Sequence, residues 1–366
     1  MSAEIEIAVL PGDGIGAEVM QACLTVLQAL GPRFDLRFRT EHVPGGAKYY
    51  AETGDAFPPS SMQICREAHA VLFGAMGWPD IRYPNGTEIA PQLDLRFELD
   101  LFAGVRPIRA IPGVPLPLSA PEADGIDLVI VRESTEGWFN ARGQGIKLTT
   151  ADGAEAVQDT CQITRPACER LFEFSFALAR RRKAQGISEG KVTGVDKSSV
   201  YLGMAFMNQI FHECAARHPD IAAEHNNVDA YCLNLVRRPW TFDVCPMENQ
   251  FGDITSDLGA GLIGGLGYAP SADVGTKHGV FQPSHGSAPD IAGQGIANPT
   301  AMILSAAMML EWLAEQHQQD DYLAAARAIT QAVDDVFAKA LVRPGDIGGA
   351  DGTEAVAQAV ISQLPD

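Results

Sequence analysis

Apolar runs alternate with helical stretches in the N-terminal part of the chain. Residues 4–10 form an apolar run typical of a strand, the turn PGDGIG ends it, and residues 17–30 then repeat apolar positions with helical spacing. A second strand is predicted at residues 70–74, directly before AMGWP. Strands that alternate with helices in this way predict an α/β lobe with a largely parallel sheet.

The same alternation returns further along the chain. Residues 127–131 and 191–195 are predicted strands, and residues 165–185 form a helical block between them. The stretch QPSHGSAPDIAGQGIANP is rich in small residues, and a long apolar helix follows it from about residue 299. A loop of small residues lets backbone N–H groups approach a ligand closely.

The glycines of PGDGIG allow two interpretations. Gly12, Gly14 and Gly16 resemble a turn that cradles a phosphate, although the helix-spaced third glycine of a dinucleotide-binding motif is missing. They equally suit a strand-to-helix turn that needs positive φ. Both interpretations stay open at the level of the sequence.

Length and composition narrow the function classes. With 366 residues, 46% apolar and 20% charged, the chain has ordinary globular composition and suits two lobes. A net charge of −19 without a Lys/Arg-rich block argues against nucleic-acid and membrane-surface partners. The seven cysteines contain no CxxC pair, which disfavours a disulfide scaffold or a zinc site and favours a reducing compartment. Because no basic leader and no span-length apolar run stand out, the expected location is the cytoplasm.

Two aspartates four residues apart are the most informative chemical feature. Asp253 and Asp257 lie in FDVCPMENQFGDITSDLGAGL, and their spacing places both carboxylates on one face of a helix. Two hard oxygen ligands on one face suit Mg2+ or Mn2+, whereas an isolated D-x-x-x-D is more often a solvated acidic face. The apolar and Gly-rich flanks favour the cation site. Asp229, in HNNVDAYCLNLV, is a third acidic candidate.

Basic residues occur at positions that suit an acidic substrate. Arg96 lies in a helical stretch, Arg106 lies in GVRP, and Arg132 ends an apolar strand. Guanidinium groups hold carboxylates bidentately, so converging arginines suit a di- or tricarboxylate, although each one alone also fits a surface ion pair. Lys197 follows the strand at residues 191–195 and suits either a desolvated base or a solvated surface position.

Two residues of the C-terminal small-residue loop are candidates for nucleotide contacts. His285 suits either contact with a base or a structural role. Asp290 is placed like an acid that binds a ribose 2′-hydroxyl and rejects a 2′-phosphate.

Motifs spread along almost the whole chain resemble those of one enzyme family. They are PGDGIG, LFGAMGWP, LDLRFELDLFAGVRP, VRESTEG, VDKSSV, ENQFGDITSDLGAGLIGGLG, HGSAPDIAGQGIANP and DIGGADGTE. In these stretches the chain resembles the β-decarboxylating dehydrogenases, which include the isopropylmalate, isocitrate, homoisocitrate and D-malate/tartrate enzymes. It is most similar to the isopropylmalate and D-malate/tartrate branches.

The resemblance implies a fold and an assembly. The fold would be the two-lobe α/β fold of isopropylmalate dehydrogenases, with a cleft between the lobes, and not a standard Rossmann fold. Residues 1–101 plus 262–366 would form the cofactor-binding lobe, and residues 102–261 the lobe for substrate, metal and dimerisation. The implied partners are a small dicarboxylate 2-hydroxy acid and a second copy of the chain, in a homodimer with shared active sites.

The resemblance also implies a role for each candidate residue. The substrate carboxylates would be held by Arg96, Arg106 and Arg132. The metal would be bound by Asp253, Asp257 and Asp229 of the partner subunit, and Lys197 of the partner subunit would take the hydroxyl proton. The substituent on the substrate would contact Gln92, Leu93 and Val200. NAD would be held by Gln282, His285, Gly286, Ser287, Ala288, Asp290, Ile291 and Asn298.

The implied cofactors are NAD and either Mg2+ or Mn2+, with K+ as an optional further ion. The pair Asp290–Ile291 resembles the NAD-using form, because NADP-using relatives carry Lys-Tyr there. Three positions depart from the family pattern. Phe139 stands where relatives carry a proton-donating tyrosine, Ser199 where they carry Asn, and Gln282 where they carry Glu.

The predicted function is NAD- and metal-dependent oxidative decarboxylation of a simple or 3-substituted (2R)-malate, of the 3-isopropylmalate or the D-malate/tartrate type. The polarity of Gln92 favours D-malate or tartrate. One alternative is an isocitrate or homoisocitrate dehydrogenase, which Asp94 disfavours because it would repel the additional carboxylate of isocitrate. The other is a catalytically weak binding or regulatory paralogue, which the loss of the tyrosine at Phe139 would explain.

Overall fold

The computed structural model describes residues 4–365. The chain divides into two compact units. The first contains the described residues up to Leu101, the segment Arg109–Gly125 and the chain from Ala260 onward, and the second contains Phe102–Ile108 and Ile126–Gly259. The fold is α/β, as the sequence predicted.

The first unit contains a sheet with the strand order β2-β1-β3-β12-β11. Its strands are β1 (Glu4–Gly12), β2 (Arg37–His42), β3 (Ala70–Ala75), β11 (Pro270–Val274) and β12 (Gly279–Pro283). Its helices are α1 (Gly16–Leu30), α2 (Ala47–Thr53), α3 (Pro59–Glu67), α4 (Pro91–Glu98), α9 (Thr300–His317), α10 (Asp320–Ala338) and α11 (Thr353–Gln363). Strand β1 is parallel to β2 and β3, β12 is parallel to β3, and only the β11–β12 pair is antiparallel.

Strand β3 and helix α9 lie in the core of the first unit, in agreement with their apolar sequences. Strand β3 is buried at every position, which is what a parallel strand covered on both faces requires. Helix α9 follows the small-residue loop and is buried on nearly all sides, from Thr300 to Ala314. No helix within residues 4–365 is both long enough and apolar enough to cross a membrane.

The second unit contains the strand order β4-β5-β10-β8-β9. Its strands are β4 (Ala103–Arg109), β5 (Asp127–Glu133), β8 (Lys191–Asp196), β9 (Ala222–Asn227) and β10 (Val244–Met247), with a separate antiparallel hairpin of β6 (Ile146–Thr149) and β7 (Glu155–Gln158). Its helices are α5 (Arg165–Ala184), α6 (Leu202–Ala215), α7 (Val228–Arg237) and α8 (Asn249–Leu262). The pairs β5–β10, β10–β8 and β8–β9 are all parallel.

Two segments depart from the boundaries expected from the sequence, Arg109–Gly125 and the two residues Ala260 and Gly261. Arg109–Gly125 was assigned to the substrate lobe but lies in the first unit. Arg109 donates to both carboxylate oxygens of Asp334 at 2.8 and 3.0 Å. Gly113 packs so closely on helix α10 that a Cβ there would lie 2.2 Å from the Phe337 carbonyl oxygen. Both contacts join residues more than two hundred positions apart, so local patterns carry no sign of them.

Candidate active site

Helix α8 carries Asp253 and Asp257 and begins just after the end of strand β10. Asp253 is half exposed, with 50% of its side-chain surface accessible. The glycines of this helix are needed for close packing, because a Cβ on Gly252 would lie 2.6 Å from Cβ of Arg132, and one on Gly259 would lie 2.8 Å from Ile108. The glycine-rich flanks of the aspartates thus let the helix lie directly against strands β5 and β4.

Arg132 is brought to this helix by the register of the sheet. Met247, the last residue of β10, pairs with Arg132 in β5, so helix α8 starts beside the arginine. The buried guanidinium donates from Nε to Oδ1 of Asn249 at 2.9 Å and from Nη1 to Oδ1 of Asp253. Asn249 also donates from Nδ2 to the Glu136 carbonyl at 2.9 Å. Asn249 was not among the candidates from the sequence, yet it orients the arginine that was.

The second aspartate experiences a different environment from the first. Burial raises the pKa of Asp257, the neighbouring charge of Asp253 raises it further, and the positive charges of Arg106 and Arg132 oppose this shift. Two carboxylates that repel each other attract a cation, and the two arginines beside them attract an anion. The structure therefore brings together four of the residues that the sequence singled out.

A buried glutamate connects this helix to the loop that carries Phe139. Glu248 accepts hydrogen bonds from the backbone N–H groups of Gln250 and Phe251 at 3.0 and 3.2 Å, and thereby caps helix α8. Its other oxygen accepts from the Trp138 N–H at 3.0 Å. Burial raises the pKa of Glu248, against the effect of these backbone donors. The ring of Phe139 lies against the Arg132 guanidinium, with 4.6 Å between its centroid and Cζ.

Lys197 and Asp229 form a separate pair in the second unit. Lys197 Nζ lies 2.5 Å from Oδ1 of Asp229, and the hydrogen bond from this lysine lowers the pKa of the aspartate. The turn that carries Lys197 is anchored by buried Asp196, whose Oδ1 accepts from the Ser198 N–H at 2.7 Å and lies 2.9 Å from His225 Nε2. Within residues 4–365, no three Asp, Glu, His or Cys side chains group together as a metal site.

In the first unit, Arg96 is buried on helix α4 and is paired with a carboxylate. Its Nε donates to Oδ2 of Asp273 in β11 at 3.0 Å, and its Nη2 lies 3.0 Å from the same oxygen. Gln282, in the neighbouring strand β12, donates from Nε2 to that oxygen at 2.8 Å. Gln282 was expected at the cofactor, and its amide is engaged by Asp273.

The PGDGIG turn packs against the small-residue loop and so supports the interpretation as a strand-to-helix turn. Gly12 and Gly14 have φ of +76° and +57°, and a Cβ on Gly14 would lie 1.9 Å from the Ser287 carbonyl oxygen. The N–H of Ile15 donates to that oxygen at 2.8 Å, and the Ser287 hydroxyl donates to the Gly77 carbonyl at 2.5 Å. Buried Asp13 accepts from three backbone N–H groups, which are those of Ala47, Lys48 and Gly77.

The small-residue loop presents groups that suit a nucleotide. Ala288 has φ of +37°, a left-handed conformation that costs energy for a residue with a Cβ and is typical of ligand-binding loops. His285 Nε2 is buried without a hydrogen-bond partner among the described residues, and burial lowers the pKa of this imidazole. An orphaned ring nitrogen beside exposed Gly286 and Asp290 fits a ligand that donates or accepts a hydrogen bond there.

Asn298 connects this loop to residues that the sequence analysis did not single out. Its Nδ2 donates to Oδ2 of Asp346 at 2.9 Å, while its Oδ1 accepts from the Thr300 N–H at 3.1 Å at the start of helix α9. Tyr268 is buried beside Asn298, and burial raises the pKa of its phenol. Asp346 belongs to the DIGGADGTE motif, so the motif was a usable signal for this position.

The positions expected to contact the substrate substituent lie on two elements. Gln92 and Leu93 are half-buried in the first turn of α4, and Gln92 Oε1 is buried without a partner among the described residues. Val200 follows Lys197 in the second unit and is 63% exposed. Ser199 next to it donates to Oδ1 of Asn227 at 3.2 Å.

Comparison with known proteins agrees with this arrangement of motifs. The family model of isocitrate/isopropylmalate dehydrogenase matches residues 6–361. The chain belongs to this family. The 3-isopropylmalate/3-methylmalate dehydrogenase of Methanocaldococcus jannaschii is 41% identical over 360 residues, which cover 98% of each chain. The isocitrate/isopropylmalate dehydrogenase family is thus the one that the sequence motifs resembled.

Solved structures of this family have the same fold. The isocitrate dehydrogenase of Methylococcus capsulatus matches with a TM-score of 0.84 and 33% identity, covering 99% of this chain and 100% of its own. A β-decarboxylating dehydrogenase of Thermococcus kodakarensis matches with a TM-score of 0.77 and 35% identity, covering 98% of this chain and 96% of its own. The predictions of an isopropylmalate dehydrogenase-like fold and of an oxidoreductase are confirmed.

Proposed function

We propose that the chain catalyses the NAD- and Mg2+- or Mn2+-dependent oxidative decarboxylation of a 3-alkyl-(2R)-malate of the isopropylmalate type. The observation that carries this proposal is the cluster on helix α8, in which Asp253 and Asp257 repel each other and face Arg106 and Arg132. Such a cluster is stabilised by a divalent cation and a dianionic substrate bound side by side. The curated relative named above as a 3-isopropylmalate/3-methylmalate dehydrogenase supports the substrate class.

The aspartates fit a metal by their chemistry and their exposure. Both are hard oxygen donors one helical turn apart, and half of the Asp253 side chain is accessible. When bound, a divalent cation supplies positive charge beside the substrate hydroxyl and favours both its ionisation and the later loss of CO2. The Arg132 guanidinium, held by Asn249, would hold the substrate carboxylate in place.

Proton removal is assigned to Lys197. Its Nζ lies at hydrogen-bond distance from the Asp229 carboxylate, to which the lysine would pass a proton before it takes one from the substrate. In the proposed reaction, Lys197 would take the proton of the C2 hydroxyl, and NAD, when bound, would supply the acceptor for the hydride from C2. The resulting β-keto acid then releases CO2 and takes a proton at C3.

Two copies of the chain would complete each site. Asp229 and Lys197 would reach the aspartate pair of the other copy, which agrees with the lack of a three-residue metal group within residues 4–365 of one chain. Exposed apolar side chains follow Lys197 and Asp229 closely in the sequence: Leu202 at the start of α6 is 88% exposed, and Leu233 on α7 is also exposed. Such side chains suit a surface that a second copy of the chain would cover. We therefore propose a homodimer with shared active sites.

The loop from His285 to Asn298 would hold the adenosine half of NAD. The exposed carboxylate of Asp290 would accept hydrogen bonds from the ribose hydroxyls and repel a 2′-phosphate, which favours NAD over NADP. His285 Nε2, which has no partner among the described residues, would contact the base, and Asn298, whose amide is bonded to Asp346 and Thr300, would hold the end of the loop. The proposed cofactors are therefore NAD, held by this loop, and a divalent metal, held by the aspartates of helix α8.

One observation favours a second candidate, the oxidation of tartrate, which carries a hydroxyl on C3. The buried Oε1 of Gln92 has no hydrogen-bond donor among the described residues, and a hydroxyl on C3 of the substrate would supply one. An alkyl group there would leave this oxygen unsatisfied. Substitution of Gln92→Leu should therefore favour 3-isopropylmalate over tartrate in the ratio of kcat/KM values if Gln92 contacts the C3 substituent.

The decisive experiment is NADH formation with a substrate panel and Mn2+ present. The panel contains 3-isopropylmalate, 3-methylmalate, D-malate, tartrate and isocitrate, each also tested with NADP. The highest kcat/KM is expected with a 3-alkylmalate and NAD. Turnover of isocitrate alone would contradict the proposed substrate, and NAD binding without turnover on any of them would support a regulatory paralogue.

Shared sites can be tested by mixing two inactive variants. A Lys197→Met copy and an Asp253→Asn copy carry defects in different halves of a shared site. After dissociation and random reassociation, up to about a quarter of the wild-type activity should return, because half of the mixed dimers' sites are intact. Activity that stays at the level of the separate variants would show that each chain builds its own site.

A further inference from the structure

Arg96 is fixed by a buried network that lies on two strands of the first unit. Asp273 in β11 accepts from Nε of this arginine at 3.0 Å, and Nη2 lies 3.0 Å from the same oxygen, Oδ2. Both side chains are almost completely buried. A guanidinium bound in this way on one edge has its orientation set by the position of a single carboxylate oxygen.

Gln282 holds that oxygen from the other side. Its Nε2 donates to Oδ2 of Asp273 at 2.8 Å from the neighbouring strand β12. The antiparallel pairing of Ala272 with Phe281 and of Ser271 with Gln282 keeps the two strands in register beside helix α4. The oxygen thus accepts from N–H groups of both Arg96 and Gln282.

The amide of Gln282 matters because it donates without adding charge. Arg96 and Asp273 together carry no net charge, so another anion can approach the arginine without net repulsion. An ionised carboxylate at position 282 would be an acceptor facing an acceptor, and it would give the network a net negative charge. The residue type at position 282 therefore controls both the orientation of Arg96 and the charge around it.

We propose that Gln282 and Asp273 are positioning residues that hold the Arg96 guanidinium for the carboxylate of an anionic substrate, and that the neutral amide of Gln282 strengthens binding of that substrate. This inference rests on the proposed function, in which Arg96 contacts a substrate carboxylate. It assigns Gln282 to the substrate side of the reaction through Asp273.

The test compares two substitutions at this position with a matched control. Gln282→Glu keeps the shape and can donate only when protonated, whereas Gln282→Met keeps most of the volume and cannot donate at any pH. Ser305→Ala is the control, because its hydroxyl donates to the backbone carbonyl of Gln282 at 2.8 Å and leaves the network with Asp273 in place. KM for 3-isopropylmalate, KM for NAD and kcat are measured between pH 6 and 9, together with Tm.

We expect the substrate KM to depend on whether the side chain at position 282 can donate a hydrogen bond to Asp273. At pH 8, both Gln282 variants should raise the KM for substrate by about tenfold or more, since a hydrogen bond to a charged group is lost. The KM of Gln282→Glu should fall toward the wild-type value as the pH is lowered, and that of Gln282→Met should not. Ser305→Ala should lower Tm without altering the substrate KM or its pH profile.

Two results would overturn the inference while leaving the proposed function in place. One is a wild-type enzyme that turns over the substrate and Gln282 variants that match it in substrate KM. The other is a change confined to the KM for NAD, which would place the role of Gln282 at the cofactor. A wild-type chain that neither binds by calorimetry nor oxidises any 2-hydroxy dicarboxylate would overturn the proposed function, and the inference with it.

Discussion

Asn249 joins Arg132 to the helix that carries Asp253 and Asp257, and its removal should separate them. The side chain is completely buried and bonded at both ends, to Arg132 Nε through Oδ1 and to the Glu136 carbonyl through Nδ2, both at 2.9 Å. In Asn249→Ala, a buried guanidinium loses an acceptor, which costs about 1.5–3 kcal/mol, and a loop carbonyl loses its donor, which costs about 1–3 kcal/mol. The folded state should therefore lose about 2.5–6 kcal/mol.

The assay separates this loss of stability from a loss of function. Thermal unfolding reports the destabilisation, and steady-state kinetics should show a substrate KM raised about tenfold or more because Arg132 is no longer held on both sides. Thr255→Val is the matched control on the same helix, since the buried Thr255 hydroxyl donates to the Phe251 carbonyl of that helix at 2.7 Å. It should lower Tm slightly and leave the substrate KM unchanged. An Asn249→Ala protein with wild-type Tm and substrate KM would refute the role of this residue.

Three further predictions concern other parts of the chain. Phe139→Tyr should increase CO2 released per NADH formed if the missing hydroxyl limits protonation at C3, and an unchanged ratio would exclude that role. Asp13→Ala should lower Tm strongly and raise the KM for NAD, because three backbone N–H groups lose their buried acceptor; an unchanged Tm would contradict this. Burial raises the pKa of Cys23, Cys65 and Cys245 to about 12, so these three thiols should react slowly with a disulfide reagent at pH 8 and become reactive on unfolding. Peptide mapping that finds them rapidly labelled in the native protein would contradict this.

The spacing of residues along the chain was sufficient to predict the strands and helices that depend on local periodicity. The alternation of apolar runs predicted strands at residues 4–10 and 70–74, and the strands extend by one or two residues beyond those bounds. The four-residue spacing of Asp253 and Asp257 placed both on one helix, as the structure shows. The site motifs were recognisable because each is a short stretch of sequence.

Features that depend on distant pairings could not be predicted in the same way. Asn249 lies 117 positions from Arg132, and Asp273 lies 177 positions from Arg96. The first pairing follows from strand register, which brings β10 beside β5, and the second follows from the packing of helix α4 against strand β11. Because register is set by packing of the whole sheet, single-residue chemistry identified the arginines but not the side chains that orient them.

Phenylalanine at position 139, in place of the tyrosine of the family pattern, leaves the contacts of the neighbouring residues unchanged. The aromatic ring stays against the Arg132 guanidinium at 4.6 Å, so the contact that a tyrosine ring would make with the arginine is kept. The backbone beside it is held by Glu248, which accepts the Trp138 N–H and caps helix α8 with the same carboxylate. Phenylalanine at this position therefore removes a hydroxyl without loosening either Arg132 or the aspartate helix. In the proposed reaction, oxidation at C2 would depend on those two elements and proton delivery at C3 on the hydroxyl. This difference favours a working dehydrogenase with an altered protonation step over a paralogue that only binds.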